Sequence, residues 1–368
     1  MNERQARMGL CALGSLASPK LAALVEEEGA QWVWEALRSQ GETSAWASRA
    51  RTVDLEAVQA ATQQCGARFI IPGDDEWLAS FSSLTSAQVG DQGGQPFGLW
   101  VRGAPLDASP PGVALVGSRA ASQYGQNVAL ELAADLAAEG VAIVSGLAFG
   151  IDAAAHRGAL SVGGMTIGVV ASGVDQPYPA SNASLAAMIA RKGAVVSEMP
   201  PGSRPMRPAF LARNRIIAAI TAGTVVVEAA LRSGAKNTAA WANELGRVVM
   251  GVPGPVTSTL SQTPHRLIRD GGAVLVTDSR DVRELVSPVG SVPDSRARGE
   301  DVALDRLRPD LRMLREVFVV GEEMLPSTLS RRTGLPLAAC LSGLHELAEG
   351  GWIEEGEQGG WALPLSRR

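Results

Sequence analysis

From Val113 onward the chain alternates short β-branched runs with amphipathic stretches: VALV, VAIV, TIGVV, AVV, TVVV, VVMGV and AVLV. This pattern constrains the fold more than any other feature. Apolar runs separated by helix-length segments must be parallel neighbours, buried on both faces and joined by crossover helices. The expectation is an α/β core built on a doubly wound parallel sheet. The runs end in GSR, SGLAFG, ASGVD, SEMPPG, EAALRSG and VPGP. Small residues and turns therefore gather on the carboxyl edge, where open α/β sheets bind ligands.

The first strand-to-helix turn argues against a dinucleotide on that edge. Such a ligand needs G-x-G-x-x-G, so that backbone can approach the pyrophosphate, whereas this turn reads Gly117, Ser118, Arg119. One glycine, a hydroxyl and a guanidinium suit a single phosphate instead. Ser145 and Gly146 end the next run, adjacent in such a sheet. They are expected to join the turn in a nest of N–H donors and guanidinium forks.

Charge places an anionic partner in the same region. The net charge is −5, but residues 108–286 hold 15 basic and 12 acidic side chains, against 8 and 13 before them and 10 and 13 after. Arg204, Arg207, Arg213 and Arg215 fall within twelve residues, and no carboxylate stands between Glu198 and Glu228. The chain has 30 Arg and 3 Lys, so the choice of Arg carries no message. The clustering does, although charge runs also form solvated faces. Ile216, Ile217 and Ile220 give the following helix a buried stripe, and Arg213 and Arg215 lie near its start, where free N–H groups favour phosphate. Phe210 is the aromatic best placed to meet a base.

Other titratable groups read as structural. Asp152 and His156, four apart on one helical face, suit a metal or an acid–base pair, but no third ligand of suitable type lies nearby. A helix interior can use such a pair to pin one turn. Glu198 and Glu228 end two strands and either form a carboxylate pair for hydrolysis or orient arginines. Cys11, Cys65 and Cys340 are far apart and odd in number, which suggests neither disulfides nor zinc.

At 368 residues the chain exceeds one ordinary core. Ser18 as a cap, Pro19, and the spacing of Leu21, Leu24 and Val25 predict a small helical domain over residues 1–66. Residues 67–286 form the core, with an irregular opening and a short strand at Leu99–Val101. A Pro-, Gly- and Ser-rich linker is expected over 287–303. Residues 304–368 suggest three helices and a β-hairpin, the outline of a winged helix. Its last helix and hairpin carry Glu346, Glu349, Glu354, Glu355 and Glu357, a surface that DNA should repel. No apolar run reaches the ~20 residues of a membrane helix, and no signal peptide shows, so a cytoplasmic protein without membrane contact is expected.

Together "VGSRAASQYG", "VSGLAFGIDAAAH", "GVDQPYP", "SEMPPG", "FLARNRIIA", "VVVEAALRSGAKNTA" and "VPGP" resemble the DNA-processing protein A (DprA/Smf) family, in the family's order over roughly residues 113 to 276. The resemblance implies a Rossmann-like core between an N-terminal helical, SAM-like domain and a C-terminal winged-helix-like domain. It implies a non-enzymatic, cofactor-free protein that binds single-stranded DNA and helps load the RecA recombinase during natural transformation, working as a homodimer. Its DNA-binding positions map here onto Gly117, Ser118, Arg119, Phe210, Arg213, Asn214 and Arg215; Ser145, Gly146, Ser233, Gly234 and Lys236, on neighbouring strand ends, complete the expected set. Departures are Phe149, where many members have arginine, Lys236, where an apolar residue is usual, and Thr263, where glycine is usual.

An enzyme is the rival class. The core also resembles, more distantly, phosphoribohydrolases that carry P-G-G-x-G-T-x-x-E with a catalytic glutamate. The matching stretch "LRSGAKNTAAW" lacks the paired glycines and has Trp241 in the glutamate's place.

Overall fold

The amino-terminal helical pattern forms α1 (Glu3–Ala12), α2 (Pro19–Glu28), α3 (Ala30–Arg38), α4 (Ala45–Ala50) and α5 (Leu55–Gln64). Asn2, Ser18, Ser44 and Asp54 each accept a first-turn N–H from the helix that follows, which satisfies donors that helix geometry leaves open. These elements belong to the computed structural model of the chain, which describes residues 1–39, 43–106, 112–288, 303–356 and 359–364.

Next come β1 (Arg68–Ile70), a small hairpin of β2 (Gln88–Val89) and β3 (Gln92–Gly93), and β4 (Leu99–Gly103). The seven β-branched runs then give β5 (Gly112–Val116), β6 (Ile143–Ser145), β7 (Thr166–Val169), β8 (Ala194–Ser197), β9 (Thr221–Val226), β10 (Val248–Gly251) and β11 (Val274–Leu275). Between and after them lie α6 (Gln123–Ala138), α7 (Ile151–Ser161), α8 (Ala183–Lys192), α9 (Arg207–Ala219), α10 (Ala235–Glu244), α11 (Gln262–Arg269) and α12 (Ser279–Val286).

One nine-stranded sheet results, in the order β1-β4-β8-β7-β6-β5-β9-β10-β11. From β8 to β11 all neighbours are parallel, as the crossover helices require. The expected parallel sheet is extended by two strands: β4 pairs antiparallel with β8, and β1 antiparallel with β4. Residues 67–107 were expected to give a single strand, and β1 was not foreseen, because three residues are too few to show a period. Along β5 the side chains alternate between two cores. Val113 and Leu115 join Leu132, Leu136 and Ile151 on one face, and Ala114 and Val116 join Ile216, Ile217 and Trp241 on the other.

The amino-terminal helices, expected as a domain over residues 1–66, pack against the sheet region. Met1–Val292 is one compact unit, and one apolar cluster holds Leu10, Val33 and Trp34 together with Phe69, Trp100, Leu185 and Val195 of the sheet region. Trp100 carries the join. Its ring lies 4.5 Å from that of Phe69, and its Nε1 donates to Thr62 Oγ1 on α5 at 2.9 Å.

The second unit, Pro293–Arg368, contains α13 (Pro309–Glu316), α14 (Pro326–Thr333), α15 (Leu337–Glu349) and a hairpin of β12 (Glu354–Glu355) and β13 (Trp361–Ala362). Leu311, Leu314, Leu329, Cys340, Leu344 and Leu347 form its core. Trp361 and Met324 exchange both backbone hydrogen bonds, fixing the hairpin to the segment before α14. The linker expected over 287–303 falls almost wholly outside the described residues, as does Glu357.

Trp100→Ala should cost about 3–5 kcal/mol, the usual penalty for emptying a large aromatic site. Because the cluster is shared, helices and sheet of the first unit should unfold in one transition under urea, followed by circular dichroism and tryptophan fluorescence. Two separate transitions for α1–α5 and the sheet would contradict a common core.

Candidate functional site

The strand order reverses at β5, which has β6 on one side and β9 on the other. Connections from β5 and β9 therefore leave in opposite directions, and a crevice opens over their carboxyl ends. A cavity of about 550 Å³ fills it, walled by the Val116–Ala120 turn and the first turns of α9 and α10.

The turn is packed from below. Ser118 N donates to Glu228 O at 2.6 Å, and Ser118 O accepts from Ile151 N at 3.2 Å. A side chain at Gly117 would run into Ile151 and the Glu228 carbonyl, so only glycine lets the turn sit this close. At the start of α6, Glu228 accepts from Ser122 N at 2.9 Å and from Ser122 Oγ at 2.6 Å. A carboxylate of the protein thus occupies the helix end where a dinucleotide would place its pyrophosphate. The α9 and α10 N-termini open onto the cavity instead, lined by Arg207, Ser233, Gly234 and Ala235; α9 has no side-chain cap, while at α10 the Ser233 hydroxyl accepts from Ala235 N at 3.3 Å. Both helix ends favour an anion.

Three donors of the expected nest are engaged within the protein: Ser118 N by Glu228 O, Gly146 N by Asp152 Oδ2 at 3.2 Å, and the buried Ser145 hydroxyl by Leu115 O at 2.6 Å. Positive charge in the cavity comes from side chains: Arg119, Arg207, Arg213 and Arg232 line it, with Asp152 as the carboxylate. Arg119 is exposed, its guanidinium 4.7 Å from the Phe210 ring centre.

Arg213 is 9% exposed and staples strand ends together, donating to Gly146 O and, at 2.8 Å, to Val169 O. A side chain at Gly146 would strike this guanidinium. Burial, opposed by Asp152 at 3.8 Å and reinforced by Arg119, lowers its pKa to about 10, so it stays charged at neutral pH. Burial likewise raises the pKa of Asp152, against the pull of Arg213 and two backbone N–H groups.

Arg215 does not reach the cavity, contrary to its expected place among the DNA contacts. It is fully buried and forms a two-pronged pair with Glu198, both contacts 2.7 Å, while also donating to Gly94 O and Ala212 O at 3.0 Å. Two residues apart on a helix, Arg213 and Arg215 face different directions. Asn214 lines the cavity and bonds Asn237 Oδ1 at 2.9 Å. Lys236 is exposed and outside the cavity wall. Arg232 was not foreseen, although its position on the carboxyl edge after β9 is the signal that could have found it.

Asp152 and His156 serve structure. His156 is fully buried and 2.7 Å from Thr166 Oγ1; that hydroxyl donates to Ile143 O, which leaves the ring Nδ1 as the donor. Burial, with help from Arg213 and Arg157, drops its pKa to about 3.

Residues 68–287 match the family model described as DNA recombination-mediator protein A. A putative DNA processing protein DprA from Mycobacterium tuberculosis is 46% identical over 305 residues, covering 78% of this chain and 77% of the relative. The X-ray structure of DprA from Streptococcus pneumoniae superposes with a TM-score of 0.65 at 32% identity, over 78% of this chain and 99% of that one. A Helicobacter pylori DprA, whose structure concerns its single-stranded DNA binding mode, gives 0.50 at 26% identity, over 58% and 94%.

Two outcomes test these assignments. Arg215→Leu, which strands a buried carboxylate, should cost about 3–5 kcal/mol in urea unfolding, and adding Glu198→Leu should recover most of it; a single variant as stable as wild type would contradict the buried pair. For His156, the unfolded chain takes up a proton near the ordinary pKa of 6.5 that the folded protein refuses until about 3. Stability should therefore fall as pH drops through that window, by roughly 1.4 kcal/mol per unit from this group. His156→Asn should show a shallower loss between pH 6 and 4, and equal slopes would mean the buried imidazole protonates in place.

Proposed function

Because the chain belongs to the DNA recombination-mediator protein A family, we propose that the cationic cavity at the strand reversal binds the phosphates of single-stranded DNA. The observation that carries this reading is the composition of the cavity wall: four guanidiniums and two helix N-termini face one space, and Asp152, the carboxylate there, is already bonded to Gly146 N, Ala148 N and Arg213. Arg119, Arg207 and Arg232 are exposed and contact phosphate directly. Arg213 supplies charge from behind, with Gly117, Ser118, Asn214, Ser233 and Gly234 shaping the wall. Phosphate contacts carry no base information, so binding tolerates any sequence.

The protein acts as a mediator without catalysis or cofactor. The phosphoribohydrolases that this core distantly resembles use a catalytic glutamate, so the state of the carboxylates at this edge bears on the rival reading. Among the described residues Asp152 is engaged, Glu198 holds Arg215, Glu228 caps α6, and Trp241 is buried in the core. Release of free base from a nucleoside monophosphate would overturn this. As a mediator, the protein presents its strand to the RecA recombinase and works as a cytoplasmic homodimer; these points rest on family membership alone. Among the described residues no helix is long and apolar enough to cross a membrane.

Fluorescence anisotropy with a single-stranded oligonucleotide at several salt concentrations tests the reading. The log–log slope should be roughly −2, about −0.7 for each of three neutralised phosphates. Arg119→Ala and Arg207→Ala should each cost about 1.5–3 kcal/mol of binding, while Arg157→Ala, on the exposed side of α7, should cost little. Affinity indifferent to salt, or a folded double variant that binds like wild type, would sink the proposal.

A further inference from the structure

Two aromatic rings stand half in solvent beside the cavity: Phe149 is 50% exposed and Tyr178 48%. With Arg119 and Arg213 they line a smaller pocket that adjoins the cavity through those two arginines and Phe210. Two exposed rings on one pocket, beside guanidiniums, offer an aromatic surface that a ligand in the cavity can cover.

Their exposure is built into the backbone. Leu147 sits at φ +58°, a left-handed conformation that a non-glycine residue adopts at a cost. Gly150 follows at φ +72°, pressed against the Ser118 carbonyl, where a side chain would not fit. The buried Asn182 amide donates to the Leu147 carbonyl at 3.1 Å from the other side. The loop is held at both ends, and Phe149 is thrust outward between the two left-handed residues. Tyr178 is fixed by its contact with Phe210, 5.7 Å between ring centres at 61°. Phe210 in turn lies under the Arg119 guanidinium, so its own ring is already engaged.

We propose that Phe149 and Tyr178 form a stacking platform for an unpaired base of the strand whose phosphates enter the neighbouring cavity. This rests on reading that cavity as a single-stranded DNA site. The pocket between the rings has room for about 40 Å³, little more than one water, so a base lies across the exposed faces and is not enclosed. Every base has a π-face, which keeps the platform indifferent to sequence. Duplex bases are already stacked and cannot reach it. Arginines alone bind the phosphates of either form; the rings select the single strand.

The test compares a 20-nucleotide thymidine strand with an abasic strand of equal length, both titrated by anisotropy against the full chain. Phe149→Ala with Tyr178→Leu should weaken binding of the thymidine strand about tenfold, roughly 1.4 kcal/mol, and leave the abasic strand unchanged. Phe149→Tyr should restore most of the Phe149 share, which a mere packing role would not require. Arg119→Ala should weaken both strands. A double variant that melts like wild type and binds the thymidine strand equally well, or loses the same factor on both strands, overturns the platform while leaving the phosphate site standing. Wild-type protein that binds neither strand overturns the phosphate site and the platform together.

Discussion

The reversal of strand order at β5 is the constraint on which the site depends. A parallel sheet cannot turn back on itself by hairpins, so each strand exits at the carboxyl edge into a crossover. Where successive crossovers go the same way, the loops pack over one another. At β5 and β9 they part, and the space left between them must be lined by whatever the adjoining turns provide. Here the turn after β5 is drawn down by Glu228, which also closes the α6 N-terminus. With that helix end satisfied internally, the positive ends facing the space are those of α9 and α10. The cationic cavity is therefore framed by these two helices and not by the first.

Burying arginine is expensive unless its donors are satisfied, and α9 shows two solutions. Arg215 is neutralised by Glu198 in a region away from the cavity, tying α9 to the Gly94 segment before β4. Arg213 is only partly neutralised. Its contacts are mainly carbonyls at the ends of β6 and β7, with Asp152 farther off at 3.8 Å. Carbonyl dipoles stabilise a cation without cancelling its charge, so Arg213 still projects a positive field into the cavity. Arg119, held over Phe210, and the exposed Arg207 and Arg232 keep their donors for a ligand. Identical side chains thus divide between holding the edge together and facing out from it.

Much of this was legible in the sequence, and the misses have physical reasons. All seven parallel strands followed from β-branched runs, since strands buried on both faces must be continuously apolar. The carboxyl edge followed from the small residues that end them. What the pattern does not carry is the direction of a side chain, nor that α9 begins at Arg207 and leaves Arg213 and Arg215 about two turns inside it, away from the free N–H groups of its start. Arg213, Asn214 and Arg215 are consecutive, and only the packing of Ile216 and Ile217 against the sheet decides that 213 meets strand ends while 215 meets Glu198. Glu198 and Glu228 could be foreseen as orienting groups, but not that Ser118 N would be taken by the Glu228 carbonyl, Gly146 N by Asp152 and the Ser145 hydroxyl by Leu115 O. Arg232 escaped notice because it is alone in its loop, and proximity to the other arginines exists only after folding.

The charge of the second unit completes the argument about where nucleic acid binds. Three helices and a hairpin are the parts of many DNA readers, yet reading a major groove requires a helix that offers hydrogen-bond donors to base edges while lying between two rows of phosphates. On α15 and the hairpin, Glu346, Glu349, Glu354 and Glu355 are exposed, and His345 is paired with Glu349 at 3.4 Å. Arg308, beside this surface, spends its guanidinium on Asp310 and Glu346. Exposed Leu337 and Leu341 make the helix apolar where a reader would be basic. Such a face would repel phosphates, and Arg331 and Arg332 at the end of α14 are exposed cations that stand against it, whereas the first unit gathers four guanidiniums in one cavity. A protein whose overall charge is −5 can bind a polyanion only if its cations are gathered and walled off in this way.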